Sequence, residues 1–353
     1  MKILFFIGGM ERGGAERVIS ILANNYAEKG HSVEIGLLLS EKVQYQLHKD
    51  IKIVDFTCSN KSYIRNVPRW ILNIRKHISI SKPDCIVSFV GRINMLVLTS
   101  AIGFNIPIVV SERNDPKHDG RGKLLQYYCN HIYKTAKSIV FQTEYEKSCF
   151  SKILNSKSIV ISNPISVSIT ENKHERLEIV TAGRLMPQKN QKLLIHAFSR
   201  IHKRFPNIVL KIYGEGILRK DLQDLINKYG LEKSITLCGN VEDLHERISG
   251  ARIFVLTSEF EGQSNALLEA MMLGIPCIST NYSGANEIIN NNVNGILVEK
   301  GNVKELESAM TLLLTNKELR NSIIKQGIQT CKKYKKEIVV EKWEEIINIY
   351  DNK

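Results

Sequence analysis

The sequence lacks the patterns that mark several large functional classes. Its seven cysteines, at 58, 85, 129, 149, 238, 277 and 331, include no CxxC pair. An odd and dispersed set of thiols argues for reduced cysteines in a cytosolic chain and against a disulfide framework or zinc site. The nine histidines show no HExxH-type spacing, so no metal centre is indicated. No apolar run approaches the ~18 residues that span a bilayer. The Lys2 to Ile7 run is too short for a signal peptide and leads into glycines rather than a cleavage site. The expected location is therefore cytoplasmic, with contact to a membrane surface left open. No fixed period of roughly 20–50 residues is visible, which excludes a solenoid.

What is present is an ordinary globular composition, 43% hydrophobic and 7% aromatic, over 353 residues. That length exceeds the usual single-core limit and predicts two domains. Lysine and arginine number 49 against 36 acids, a formal charge of +13. The excess suggests an anionic partner: nucleic acid, an anionic lipid surface or a phosphorylated ligand. Nucleic acid is the least attractive, because no recognised binding module accompanies the charge.

Short β-rich runs alternate with helical patterns, the signature of α/β architecture with parallel sheets. Strands are predicted at 2–7, 32–39, 52–56, 84–89, 108–111, 138–142 and 158–161, and again at 177–182, 208–213, 234–237, 251–256, 276–279 and 295–298. Helices are predicted at 15–29, 190–205, 218–229 and 265–273. The polar segment 162–176, with Asn163-Pro164, lacks periodicity and is the best linker. Two Rossmann-like doubly wound domains are expected, residues 1–165 and 166–336, with ligands at the carboxyl ends of their strands and a cleft between the domains as the default site.

The segment Glu261 to Glu269, after the 251–256 strand, reads as a polar loop opening a helix. Ser264 or Asn265 can cap that helix, which places Glu269 in its second turn, leaning back toward Glu261. The helix N-terminus between them offers unpaired N–H groups. Two hydroxyl-seeking carboxylates around an anion-seeking helix end suit a nucleotide sugar, although acids near helix starts are also common for macrodipole reasons alone. Gly183 to Asn190 brings Arg184 and Lys189 to another helix start, where an arginine fork and a lysine make a diphosphate cradle or a pair of solvated cations. Gly8 to Arg17 joins the first strand to the first helix; its glycines at 8, 9, 13 and 14 do not form GxGxxG, so a dinucleotide site is poorly supported.

Gly214 and Gly216 follow one strand and Asn240 another; both segments can present backbone groups to a ligand, with simple turns the better-supported reading, and Glu287 after a third strand reads equally as a helix-start acid or as a ligand contact. Glu112 and Arg113 after the 108–111 strand, with Arg92 and Asn94 after the 84–89 strand, form a polar cluster readable as an acceptor surface or as a salt-bridged loop. Arg65, Arg69, Arg75 and Lys76 flank Trp70, Ile71, Ile74 and Ile78 in a cationic amphipathic helix. Such a stripe either packs on its own sheet, the better-supported reading, or lies on anionic lipid.

With these segments in order, the chain resembles the GT-B retaining glycosyltransferases of family 4, nearly over its whole length. The resemblance rests on Gly13-Gly14-Ala15-Glu16-Arg17, Gly183-Arg184 through Lys189-Asn190, Gly214-Glu215-Gly216, and the EX7E element Glu261 to Glu269. Its nearest flavour is that of bacterial enzymes of capsule, O-antigen, lipopolysaccharide and lipid-linked oligosaccharide synthesis.

The resemblance implies transfer of a hexose or N-acetylhexosamine from a UDP-sugar, without metal or other cofactor, to a lipid-linked or polysaccharide acceptor. It implies work in the cytoplasm, peripheral on the anionic inner membrane face. Arg184, Lys189 and Glu261 would be catalytic. Gly13, Gly14, Gly183, Gly214, Gly216, Asn240, Gly262, Ser264, Asn265, Ala266, Leu267 and Glu269 would bind the donor. Arg92, Asn94, Glu112 and Arg113 would face the acceptor, although many relatives carry a histidine where this chain has Glu112-Arg113. It also implies that the C-terminal helix, within 337–353, packs back on the first domain. A nucleotide-sugar 2-epimerase of the same architecture is the alternative.

Overall fold

The computed structural model describes residues 1–11, 13–58, 62–165, 167 and 175–350. Arg12 of the glycine-rich turn, residues 166 and 168–174 of the expected linker, and the last three positions lie outside the described residues. The chain forms two compact units, Met1–Pro164 with Lys336–Lys353, and Ile165–Lys335.

In the first unit the strands are β1 (Lys2–Ile7), β2 (Ser32–Leu37), β3 (Lys52–Asp55), β4 (Cys85–Phe89), β5 (Ile108–Ser111), β6 (Ser138–Phe141) and β7 (Ser158–Val160). They pair in the order β3-β2-β1-β4-β5-β6-β7, every pair parallel. Such a sheet is covered on both faces, so its central strands are continuously apolar; β4, Cys-Ile-Val-Ser-Phe, is wholly buried. One face is covered by the helix Gly14–Glu28 and by the C-terminal helix Lys336–Ile347, whose Val339, Val340, Trp343 and Ile347 join the core of β1 and β2. Trp343 stacks on Phe89 at 5.5 Å. Asn25 Nδ2 donates to Glu344 at 2.6 Å, tying the first helix to the last.

The other face carries the helices Tyr63–Ser81 and Gly91–Ser100. In the first of these Trp70, Ile74 and Ile78 are 1% exposed or less, packed on the sheet, so the amphipathic stripe is a core contact. Arg75 turns inward too, donating to the carbonyls of Ser100 and Ile102 at 2.7 Å each and lying over Phe104.

The second unit repeats the design with β8 (Arg176–Ala182), β9 (Val209–Tyr213), β10 (Ile235–Gly239), β11 (Ala251–Leu256), β12 (Cys277–Thr280) and β13 (Ile296–Val298), ordered β10-β9-β8-β11-β12-β13 and parallel throughout. The direction of winding reverses between β8 and β11, which makes their carboxyl ends the switch point where ligands of such sheets bind. Val180 pairs with Phe254, so Ala182 and Leu256 end side by side and their following loops emerge together. No helix among the described residues is long and apolar enough to cross a membrane.

Candidate active site

The two loops at this switch point are stitched by polar contacts. Glu259 N–H donates to the Gln188 carbonyl at 2.8 Å, Gln188 Nε2 to the Phe260 carbonyl at 2.7 Å, and Thr257 Oγ1 to the Lys189 carbonyl at 2.9 Å. Asn190, left-handed at φ 42°, accepts from Leu193 N–H as the cap of Gln191–Ile201 and donates through its amide to Glu259. Thr280 Oγ1, from β12, holds the Ser258 carbonyl at 2.6 Å.

Within this frame Lys189 Nζ lies 2.6 Å from Glu261 Oε1, and Ser258 donates to the same oxygen. Tyr282 is buried beside them, and burial first, then the charge of Glu261, pushes its phenol well above the ordinary range. Arg184 is exposed, and its guanidinium has no carboxylate partner among the described residues. The site thus presents one cation neutralised by a carboxylate and one open to an anion.

The helix Asn265–Met272 follows directly. Ser264, one of the two residues expected to cap, occupies the N-cap position at φ −80°, and its side chain makes no capping bond. The first N–H groups of any helix lack intrahelical partners and favour an anion. Glu269 stands in the second turn, 5% exposed, with Oε2 3.0 Å from Nε2 of His245 on the helix Leu244–Ile248.

The glycines of this region have a structural cause in close backbone approach. Gly214 has φ 129°, and a Cβ there would sit 2.1 Å from the Gly183 carbonyl; one at Gly216 would sit 2.4 Å from the Leu185 carbonyl. Gly183 and Gly262 lie in the stitched loops, Ala266 and Leu267 in the first turn of the helix with Leu267 buried, and Asn240 is exposed after β10.

In the first unit Gly13 precedes the helix Gly14–Glu28 and exchanges hydrogen bonds with the Tyr45 hydroxyl at 3.2 and 2.8 Å. Phe89 pairs with Ser111, which brings Arg92, Asn94, Glu112 and Arg113 to one sheet edge. Only Arg92 is exposed. Glu112 is 0% exposed, bidentate to Arg121 at 3.2 and 2.9 Å, and accepts from Tyr133. Arg121 is also paired with Asp119; burial opposes its charge, yet the two carboxylates outweigh that and raise its pKa.

Asn94 is equally enclosed and donates to the Ser111 carbonyl and the Tyr133 hydroxyl. Arg113 donates to Asn163 Oδ1 at 2.7 Å and lies against the stacked pair Phe89 and Trp343, 4.9 and 5.5 Å from their ring centres. Three of the four residues expected to face an acceptor are therefore interior, and the salt-bridged reading describes Glu112, while Asn94 and Arg113 are held by hydrogen bonds to neutral groups. His245 and Arg121 were not legible as functional or structural partners, because neither sits in a spaced motif.

Two family models match the chain in tandem: Glycosyltransferase Family 4 over residues 12–169 and Glycosyl transferases group 1 over residues 164–330. The chain belongs to the family 4 glycosyltransferases of GT-B fold. Among its relatives is an uncharacterized glycosyltransferase of Haemophilus influenzae, 26% identical, with 98% of this chain and 99% of the relative covered. A second, from Campylobacter jejuni, is 24% identical with 98% of each chain covered; it is named as an α-1,4-N-acetyl-D-galactosaminyltransferase acting on a GalNAc-GalNAc-diNAcBac-PP-undecaprenol. Anabaena HepE, solved with UDP and glucose, shares the fold at a TM-score of 0.82 and 17% identity, covering 99% of this chain and all of HepE. The chain is accordingly a transferase, and the epimerase alternative is not favoured.

Proposed function

We propose that this glycosyltransferase moves a hexose or N-acetylhexosamine from a UDP-sugar to a lipid-linked oligosaccharide or polysaccharide acceptor in bacterial cell-surface glycan synthesis, with retention at the anomeric carbon and without a metal. The observation that carries the reading is the meeting of Lys189 and Glu261 beside the open Arg184 and the Asn265–Met272 helix start. The full-length Campylobacter jejuni relative supports the acceptor class.

In this reading Arg184 and Lys189 take the donor diphosphate and neutralise the charge that develops as the nucleotide leaves. Lys189 releases Glu261, whose carboxylate then accepts from donor-sugar hydroxyls, and Glu269 accepts from the ribose hydroxyls. The glycosidic carbon–oxygen bond to UDP breaks, the acceptor oxygen attacks from the same face, and a donor phosphate oxygen receives the acceptor proton. No protein nucleophile enters. The paired cations supply the positive charge that a divalent ion supplies in other transferases. Catalysis takes place in the cytoplasm at the inner membrane surface, where a lipid-linked acceptor presents its sugar.

The test is a panel of nucleotide sugars with a polyprenyl-diphosphate oligosaccharide acceptor, the product linkage read by NMR. An α-linked product from an α-configured UDP-sugar, formed in chelator, is expected. A β-linked product would remove retention, and loss of turnover in chelator would remove metal independence.

A further inference from the structure

Three helices of the first unit, Tyr63–Ser81, Gly91–Ser100 and Lys123–Ile132, enclose a groove of about 520 Å³. That volume lies within the range of small-molecule sites, about 300–1,000 Å³. Its walls include Val67 and Ile71 from the first helix, Met95 and Leu96 from the second, and Leu125 and Tyr128 from the third. The Thr99 hydroxyl is spent on the Met95 carbonyl and the Tyr128 hydroxyl, 2.6 Å from each. Arg92 is the charged residue of the lining, exposed, with one long contact of 3.5 Å to the Gly120 carbonyl. A shallower hollow continues along Lys123–Ile132, and the rim is apolar as well: Ile64, Leu124 and Tyr127 are 82, 84 and 73% exposed.

Apolar surface of this kind, gathered rather than scattered, marks a binding face. The charge pattern says what class of ligand fits it. The three helices contain no aspartate or glutamate, against Arg65, Arg69, Arg75, Lys76, Arg92 and Lys123. A glycan would leave its hydroxyls without partners on such walls, and an extended peptide would leave its backbone groups so. A flexible hydrocarbon tail with an anionic end satisfies both the apolar walls and Arg92, the cation of the lining, and a concave trough suits a single chain better than a flat bilayer.

We propose that this groove seats the first isoprenoid units of a polyprenyl diphosphate carrier, with Arg92 facing its diphosphate. The inference rests on the lipid-linked acceptor reading, and it gives the enzyme a recognition element for the carrier separate from the sugar.

The experiment is equilibrium binding of farnesyl diphosphate to the full chain, in saturating UDP so that the donor site is occupied. Farnesol and inorganic diphosphate serve as controls. Farnesyl diphosphate is expected to bind at least tenfold more tightly than either. The double variant Ile71→Glu/Leu125→Glu is expected to weaken it at least tenfold, and Arg92→Gln to weaken farnesyl diphosphate but not farnesol. Leu125→Ser, at a position 36% exposed, reads the same groove without a new charge if the double variant unfolds early.

Binding equal to inorganic diphosphate, or variants indistinguishable from wild type, overturns the proposal. So does a double variant that keeps farnesyl diphosphate yet loses sedimentation with phosphatidylglycerol vesicles, since the face would then be a bilayer contact. Groove binding without transfer to any polyprenyl-linked acceptor would sustain the groove and overturn the acceptor reading, so the two fail separately.

Discussion

Lys189 Nζ stands 2.6 Å from Glu261 Oε1 with the two side chains 14 and 11% exposed, so the lysine is held by a carboxylate rather than by solvent. In the proposed reading a donor diphosphate competes for it, and the exchange frees Glu261 for the sugar. Removing a preorganised charge stabiliser costs about 10²–10³ in kcat in comparable cases. Lys189→Ala is therefore expected to lower turnover at saturating donor by that order while the protein stays folded, because Ser258 still donates to Glu261. Turnover within tenfold of wild type would remove Lys189 from the catalytic set.

Glu269, in the second turn of the Asn265–Met272 helix, is held by His245 at 3.0 Å. Hydrogen bonds to a charged group contribute roughly 1.5–3 kcal/mol, so Glu269→Gln should raise the donor KM by about 10- to 100-fold. It should also erase any preference for UDP over 2′-deoxy-UDP. His245→Ala should do both to a smaller extent, because it loosens the carboxylate without removing it. Calorimetric titration of the two nucleotides decides this, and an unchanged preference in Glu269→Gln would detach Glu269 from the ribose.

The strands were legible because a sheet buried on both faces demands apolar runs, and each of the thirteen lies within two residues of its expected limits. The helix expected over 190–205 ends at Ile201, and nothing in Arg-Ile-His-Lys-Arg-Phe before Pro206 marks that stop in the sequence. The loops after β8 and β11 were legible through Arg184, Lys189, Glu261 and Glu269, whose charges stand out after apolar strands. The burial of Asn94, Glu112 and Arg113 was not. Asn94 and Glu112 read as surface groups, but the Gly91–Ser100 helix is buried over most of its length, and Arg121, nine residues beyond Glu112, closes the pair through the fold. Likewise His245 meets Glu269 only because β10 and β11 deliver their helices to the same end of the sheet.

Gly284 shows how a glycine can serve the site from behind. A Cβ there would lie 1.6 Å from the Gly262 carbonyl, inside the loop that carries Glu261. Overpacking typically costs about 1–3 kcal/mol, so Gly284→Ala should lower the unfolding free energy by that amount and raise the donor KM by displacing Glu261. Gly122→Ala is the control, with φ −72° and open space about its Cα; it should change stability by no more than about 0.5 kcal/mol. Chemical unfolding of the two variants checks the contrast.

Glu34 of β2 supplies a pH dependence far from the site. Its carboxylate meets Lys2 Nζ at 2.9 Å, His77 Nε2 at 2.8 Å and Ser81 Oγ at 2.8 Å, and is 6% exposed. Burial acts to raise its pKa, but the bonds from Lys2, His77 and Ser81 outweigh burial and hold it below the ordinary value. A carboxylate lowered in the folded state binds fewer protons folded than unfolded. Its contribution is therefore complete above the unfolded value of about 4.3, and is lost as pH falls through the lower folded value. Glu34→Gln lacks that contribution at every pH. The gap in unfolding free energy between wild type and Glu34→Gln should accordingly be constant from about pH 6 to 8 and narrow below about pH 4.3, as read by urea titrations across that range. A gap that stays level to about pH 3 would mean that the three donors do not favour the charged form, and that the pairing of β2 with the Tyr63–Ser81 helix is held by packing alone.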